Sequence, residues 1–98
     1  MEWAAGLFEG EGAVHREGRR PKLSLKMTQE ESVRRFHTDV GVGVVYGPYG
    51  PYEKQPNRSP FWMWVAEGAT AIAVAKELLP HASPWLATRL ADVCGPPS

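Results

Sequence analysis

The 98-residue sequence predicts an α+β domain in which helices cover one face of a single antiparallel sheet. Three observations predict it. Segments of helical spacing and segments fit for strands follow one another in the order α-β-β-α-β-β-α-α. Residues 22–27 alternate, with Leu23, Leu25 and Met27 to one side and Lys22, Ser24 and Lys26 to the other. A strand with one face on a core requires that pattern. Gly- and Pro-rich stretches punctuate the order at Gly18-Arg19-Arg20-Pro21, at Gly41-Val42-Gly43 and from Gly47 to Pro60. No linker or repeat interrupts it, so residues 1–98 read as one domain.

Each element has a local reason. Trp3, Ala4, Leu7 and Phe8 fall at helical spacing and predict a helix over 2–10. Gly12 frees the backbone to turn into a strand over 13–17. Residues 18–21 read as a hairpin connection into the strand over 22–27. Thr28 suits a helix N-cap with Glu31 as its capping-box partner, and the helix runs to 39 with Val33 and Phe36 on its apolar side. A strand over 42–46 follows, then a loop that carries Lys54 and Arg58. Residues 61–66 form a fourth strand. A helix over 69–79 stops at Pro80, and a last helix over 84–93 ends at Gly95-Pro96-Pro97.

Composition bounds the function. Apolar content of 43% is that of a globular protein, and no run approaches a membrane span. Glu2, Glu9 and Glu11 predict that the N-terminus is not a signal peptide. The single cysteine, Cys94, rules out an internal disulfide and predicts a reducing, intracellular setting. Formal net charge is zero, with 11 basic and 11 acidic residues, which argues against a nucleic-acid binder. The distribution argues the other way. Arg16, Arg19, Arg20, Lys22 and Lys26 crowd one hairpin against the single acid Glu17. A local basic strip binds phosphate although the whole chain is neutral.

The first helix is unusual. Gly6 and Gly10 share one face. A mid-helix Gly costs about 1 kcal/mol relative to Ala. Two on one stripe predict that another backbone comes close. Glu9 and Glu11 stand at the C-terminal end, where the helix dipole disfavours carboxylates. Acids set against the dipole point to a nearby cation.

The stretch Ala4–Gly12, A-A-G-L-F-E-G-E-G, resembles the signature of the LAGLIDADG homing endonucleases. Gly6, Leu7 and Gly12 match outright, and Phe8, Gly10 and the two Glu-for-Asp changes are conservative forms. Met27-Thr28-Gln29, Gly41-Val42-Gly43 and Leu78-Leu79-Pro80 extend the likeness over most of the chain. The resemblance implies an αββαββα(α) fold with a four-stranded, saddle-shaped sheet on DNA. It implies that the signature helix is the interface between two units. With one motif present, that means a homodimer packed through Ala5, Gly6, Glu9 and Gly10 on a near-palindromic site.

The resemblance also implies the chemistry: site-specific, divalent-metal-dependent hydrolysis of double-stranded DNA, in the service of intron or intein mobility. Mg²⁺ or Mn²⁺ would sit on Glu11 and the Gly10 carbonyl, hard oxygen donors that suit such cations. Glu11 of each chain would meet its counterpart near the two-fold axis, where like charges favour metal uptake. Gln29 matches the residue that orders water beside the metal. Arg34 or Arg35 could reach a phosphate, or be solvated helix charges. DNA readout in the family comes from strand residues facing away from the helices. Alternation puts His15, Glu17, Lys22, Ser24 and Lys26 there, with Tyr46 and either Trp62 or Trp64. Arg16, Arg19, Arg20, Lys54 and Arg58 add candidate phosphate contacts.

One departure stands out. The family places a basic residue, usually lysine, shortly after the Leu-Leu-Pro, and here the sequence reads His81-Ala82-Ser83-Pro84-Trp85. Three rival readings follow. One is a DNA-binding regulator of the same fold without cleavage. Another is a maturase that uses the same surface on intron RNA. The third is a dimeric interaction module without nucleic acid.

Overall fold

The structure is a computed structural model that describes residues 1–17, 20–50 and 59–94, with backbone alone at 16 and 17. In chain order the elements are helix α1 (Glu2–Glu11), strands β1 (Gly12–Glu17) and β2 (Arg20–Met27), and helix α2 (Glu30–Val40). Strands β3 (Val44–Tyr49) and β4 (Phe61–Glu67) follow. Helix α3 (Ala69–Leu78), a 3-10 turn (Leu79–His81) and helix α4 (Pro84–Cys94) complete it. The strands form one sheet in the order β1-β2-β4-β3, every neighbouring pair antiparallel. The predicted α+β order is therefore the observed one.

The register explains the layers. Gly12, Leu25, Trp64 and Val45 stand side by side across the four strands, and Val14, Leu23 and Ala66 form the next row. These rows face the helices. Leu23, Leu25, Trp64 and Ala66 are buried, together with Ala4, Ala5 and Phe8 of α1 and Val33 and Phe36 of α2. Ala71, Val74 and Leu78 of α3 and Leu86 and Leu90 of α4 close the core. Burial of this kind contributes about 25 cal/mol per Å² of apolar area, which is what holds the short helices in place.

Aromatic packing sits at the centre. The Phe36 ring meets Trp64 edge-on at 4.8 Å between centroids, and Phe8 stacks on Phe36 at 6.1 Å. The Trp64 indole Nε1 donates to the Val42 carbonyl at 2.9 Å, so its polar edge is satisfied inside the core. Gly43 makes that possible. Its φ of +94° lies in the left-handed region, and a Cβ there would enter the Trp64 indole.

Several boundaries differ from expectation. The capping box of Thr28 and Glu31 does not form. Helix α2 begins after Gln29 in an extended conformation, and the Ser32 hydroxyl donates to the Gln29 Oε1 at 3.2 Å. Strand β3 starts at Val44 rather than 42 and continues through Gly47-Pro48-Tyr49, across an irregular register between Tyr46 and Tyr49 and a cis Gly47–Pro48 bond. The Gly-Pro signal reads as loop, but an edge strand tolerates Pro because it needs no donor on its open side. The α3 helix ends at Leu78, with Pro80 inside the 3-10 turn.

Candidate nucleic-acid interface and active site

The sheet face away from the helices follows from the same register. Its rows run His15–Lys22–Glu67, Ala13–Ser24–Val65–Val44 and Lys26–Met63–Tyr46. The half built by β1 and β2 is polar and basic. His15, Arg20 and Lys26 are exposed, and Lys22 and Ser24 half-buried. The Ser24 hydroxyl lies 3.4 Å from His15 Nε2. Arg20 meets Glu67 at 3.5 Å, an exposed pair with little energy in it, so its guanidinium stays available. The half built by β3 and β4 is apolar, with Val44 50% and Tyr46 46% exposed beside Met63 and Val65.

His15, Lys22, Ser24, Lys26 and Tyr46 thus lie on the face where alternation put them. Trp62 does not. It stands opposite Met27 on the helical side and packs against the core, so the assignment of Trp62 to DNA contact is corrected. In 61–66 both alternating sets are apolar, and the sequence offers no charge to mark the outer one. The outer set is Phe61, Met63 and Val65. Arg16 pairs with Pro21 and Glu17 with Arg20, so Arg16 occupies a register position of the helical side. Arg19, Lys54 and Arg58 lie outside the described residues.

At one end of the outer face an open concavity of about 670 Å³ is lined by Glu11, Lys26 and Gln29, with Thr28, Ser59 and Phe61 around them. Three elements meet there: the end of α1, the end of β2 leading into α2, and the start of β4. Glu11 is the last residue of α1. It is exposed and forms no hydrogen bond or ion pair among the described residues. The last turn of α1 holds no basic residue, so the dipole and the carboxylate present the same sign to solvent. Gln29 reaches the same concavity with its Oε1 held by Ser32. Arg34 is paired with Glu30 at 2.7 Å, and Arg35 lies 4.0 Å over the Trp3 ring.

The donor set fits a hard divalent cation only in part within one chain. Among the described residues no group of three or more His, Cys, Asp or Glu gathers. One protomer offers the Glu11 carboxylate and, one residue away, a Gly10 carbonyl in the helix's last turn, where carbonyls have no intrahelical donor. Mg²⁺ binds through one or two carboxylates plus water and phosphate oxygens. A second copy would supply the second carboxylate.

The faces of α1 separate cleanly. Ala4, Ala5 and Phe8 are buried, whereas Glu2, Gly6, Glu9 and Gly10 are exposed. Among the described residues a Cβ on Gly6 or Gly10 would meet nothing within 4 Å, so no described backbone of the same chain makes the close approach the glycines predict. Ala5 is 1% exposed. Its methyl belongs to the protomer core, and its assignment to a dimer interface is corrected. Glu9 is engaged within the chain, where its Oε1 accepts from the Ser83 hydroxyl.

The chain has the fold of homing endonucleases. It superposes on homing endonuclease I-CvuI in complex with its target and Ca at a TM-score of 0.67 and 16% identity, covering 91% of this chain and 59% of that one. I-CvuI on the I-CreI target with Mg, where the DNA is not cleaved, gives 0.65 and 14%, with the same coverage. The archaeal intron-encoded homing endonuclease I-Vdi141I, complexed with DNA, gives 0.59 and 16% over 90% of this chain and 60% of that one. The chain thus spans about three fifths of the length of the structures it matches. No family model and no curated protein matches the sequence. Among the described residues no helix is long and apolar enough to cross a membrane.

Proposed function

We infer that this chain is a single-motif LAGLIDADG homing endonuclease, cutting double-stranded DNA as a homodimer with Mg²⁺ or Mn²⁺. The observation that carries the reading is the position of Glu11. A carboxylate with no partner among the described residues ends the glycine-striped helix and lines one concavity with Gln29, at the edge of a basic sheet face. The shared fold with DNA-bound homing endonucleases supports it.

Two copies pack α1 against α1 through Gly6 and Gly10, where no described side chain stands in the way. Glu9 flanks that contact while Ser83 holds its carboxylate. Each copy brings a Glu11 to the shared centre. A bound divalent cation there would polarise the phosphate and activate water for attack. Glu11 and the Gly10 carbonyl would hold it. Gln29, its Oε1 occupied by Ser32, keeps its amide N–H groups to orient water. His15, Arg20, Lys22, Ser24 and Lys26 bind the duplex, the cations on phosphates or guanine edges. The half-buried thiol of Cys94 takes no part and suits a reducing intracellular compartment.

Plasmid nicking with Mg²⁺ tests the reading, with Glu11→Gln as control. The variant is expected to bind DNA as wild type does and to lose cleavage. Equal cleavage by Glu11→Gln removes the metal-site assignment. A second reading, a DNA-binding regulator of the same fold, is favoured by zero net charge and by the lysine-free segment after Leu79-Pro80. It predicts salt-dependent binding of duplex DNA with no nicking in Mg²⁺ or Mn²⁺. Stronger binding to structured RNA than to duplex would instead support the maturase role.

A further inference from the structure

Strand β1 opens with Gly12 paired to Leu25, so the last residue of α1, Glu11, and the residue after Leu25, Lys26, both come to the same end of the sheet. Both residues line the concavity that Gln29 enters. The Lys26 ammonium lies 4.6 Å from the centroid of the Phe61 ring, which lines the same concavity. A cation over an aromatic face is held in place without losing its charge. Among the described residues neither Lys26 nor Glu11 forms an ion pair. Arg34 is engaged with Glu30, Arg35 lies on Trp3 and Arg89 on Trp85, and none of the three lines this concavity.

We propose that Lys26 is a catalytic residue of this chain, contacting the scissile phosphate rather than serving only as a groove anchor. This rests on the endonuclease reading above. In phosphodiester hydrolysis the oxygen of a water bonds to phosphorus as the bond to the leaving sugar oxygen breaks. The leaving oxygen gains a proton and the water has lost one, so one water is consumed and a phosphomonoester and a hydroxyl are formed. Negative charge builds on the non-bridging oxygens as the new bond forms. The Lys26 ammonium, fixed over Phe61 in the concavity that Glu11 also lines, donates to one of those oxygens. A fixed donor aimed at charge that develops in the transition state lowers the barrier more than it tightens binding.

The test compares rate with affinity. A duplex is selected from a randomised pool by wild-type binding in Ca²⁺, and single-turnover nicking is then measured in Mg²⁺ at saturating protein. Lys26→Met is expected to slow the saturated rate by roughly 100-fold or more, while its Kd in Ca²⁺ rises by less than about 10-fold. Lys26→Arg is expected to restore part of the rate. Phe61→Leu, which keeps the charge but removes the ring beneath it, is expected to slow the rate by roughly two- to five-fold. If wild type nicks and Lys26→Met nicks as fast at saturation, with only affinity lost, the inference fails and the endonuclease reading stands. A wild-type protein that binds the duplex but never nicks it overturns both.

Discussion

The Ser83 hydroxyl donates to the Glu9 carboxylate, and the same oxygen accepts from the Leu86 backbone N–H at 3.3 Å. One side chain therefore caps the first turn of α4 and ties it to α1, across most of the length of the chain. It also divides the two acids of the signature. Glu9 is bound to its own protomer, and Glu11, a short step on, is left open.

That tie gives a stability prediction. Ser83→Ala removes the N-cap and costs about 0.5–2 kcal/mol, a typical value for such a loss. Urea denaturation is expected to show a lower midpoint at unchanged slope. An unaltered midpoint would mean that α4 is held by Leu86 and Leu90 alone.

The α1 stripe makes a paired prediction. Gly6→Ala is expected to leave the protomer intact or stabilise it by up to about 1 kcal/mol, because Ala is the better helix former and the site is open. Gly6→Leu is expected to abolish the dimer by filling the groove between helices. Sedimentation velocity reads both, and a dimer unchanged by Gly6→Leu would count against the helix–helix interface.

Gly43 predicts the opposite behaviour. Its positive φ and the indole beside it leave no room for a methyl. Gly43→Ala is expected to lose roughly 1–3 kcal/mol, the range for a strained backbone position. A thermal melt that matches wild type would show that Trp64 can move aside.

The basic half of the sheet predicts salt-linked binding. Lys22→Ala is expected to weaken duplex binding for all sequences alike and to lower the slope of log K against log salt by about 1, the signature of one phosphate contact. Trp62→Phe, on the helical side, is expected to change stability and leave that slope alone. A changed slope for Trp62→Phe would return that residue to the DNA face.

The order of helices and strands was legible in the sequence because each element carries its own period. The alternation of 22–27, the Gly41 break and the helical spacing of Phe8 with Ala4 are local properties. Glu11 and Gln29 stood out as candidates through a short motif and a strand end, and the fold brings both to one concavity. Which face of β4 meets solvent was not, since Trp62, Met63, Trp64 and Val65 are all apolar and only pairing with β2 separates them. Nor was the fate of Ala5 or Glu9. A methyl's burial and a carboxylate's partner depend on helices distant in sequence, and α4 supplies Ser83 only once the chain has folded back. The meeting of Glu11, Lys26 and Phe61 is of the same kind. The end of α1, the end of β2 and the start of β4 share one concavity because long-range strand pairing brings those ends together.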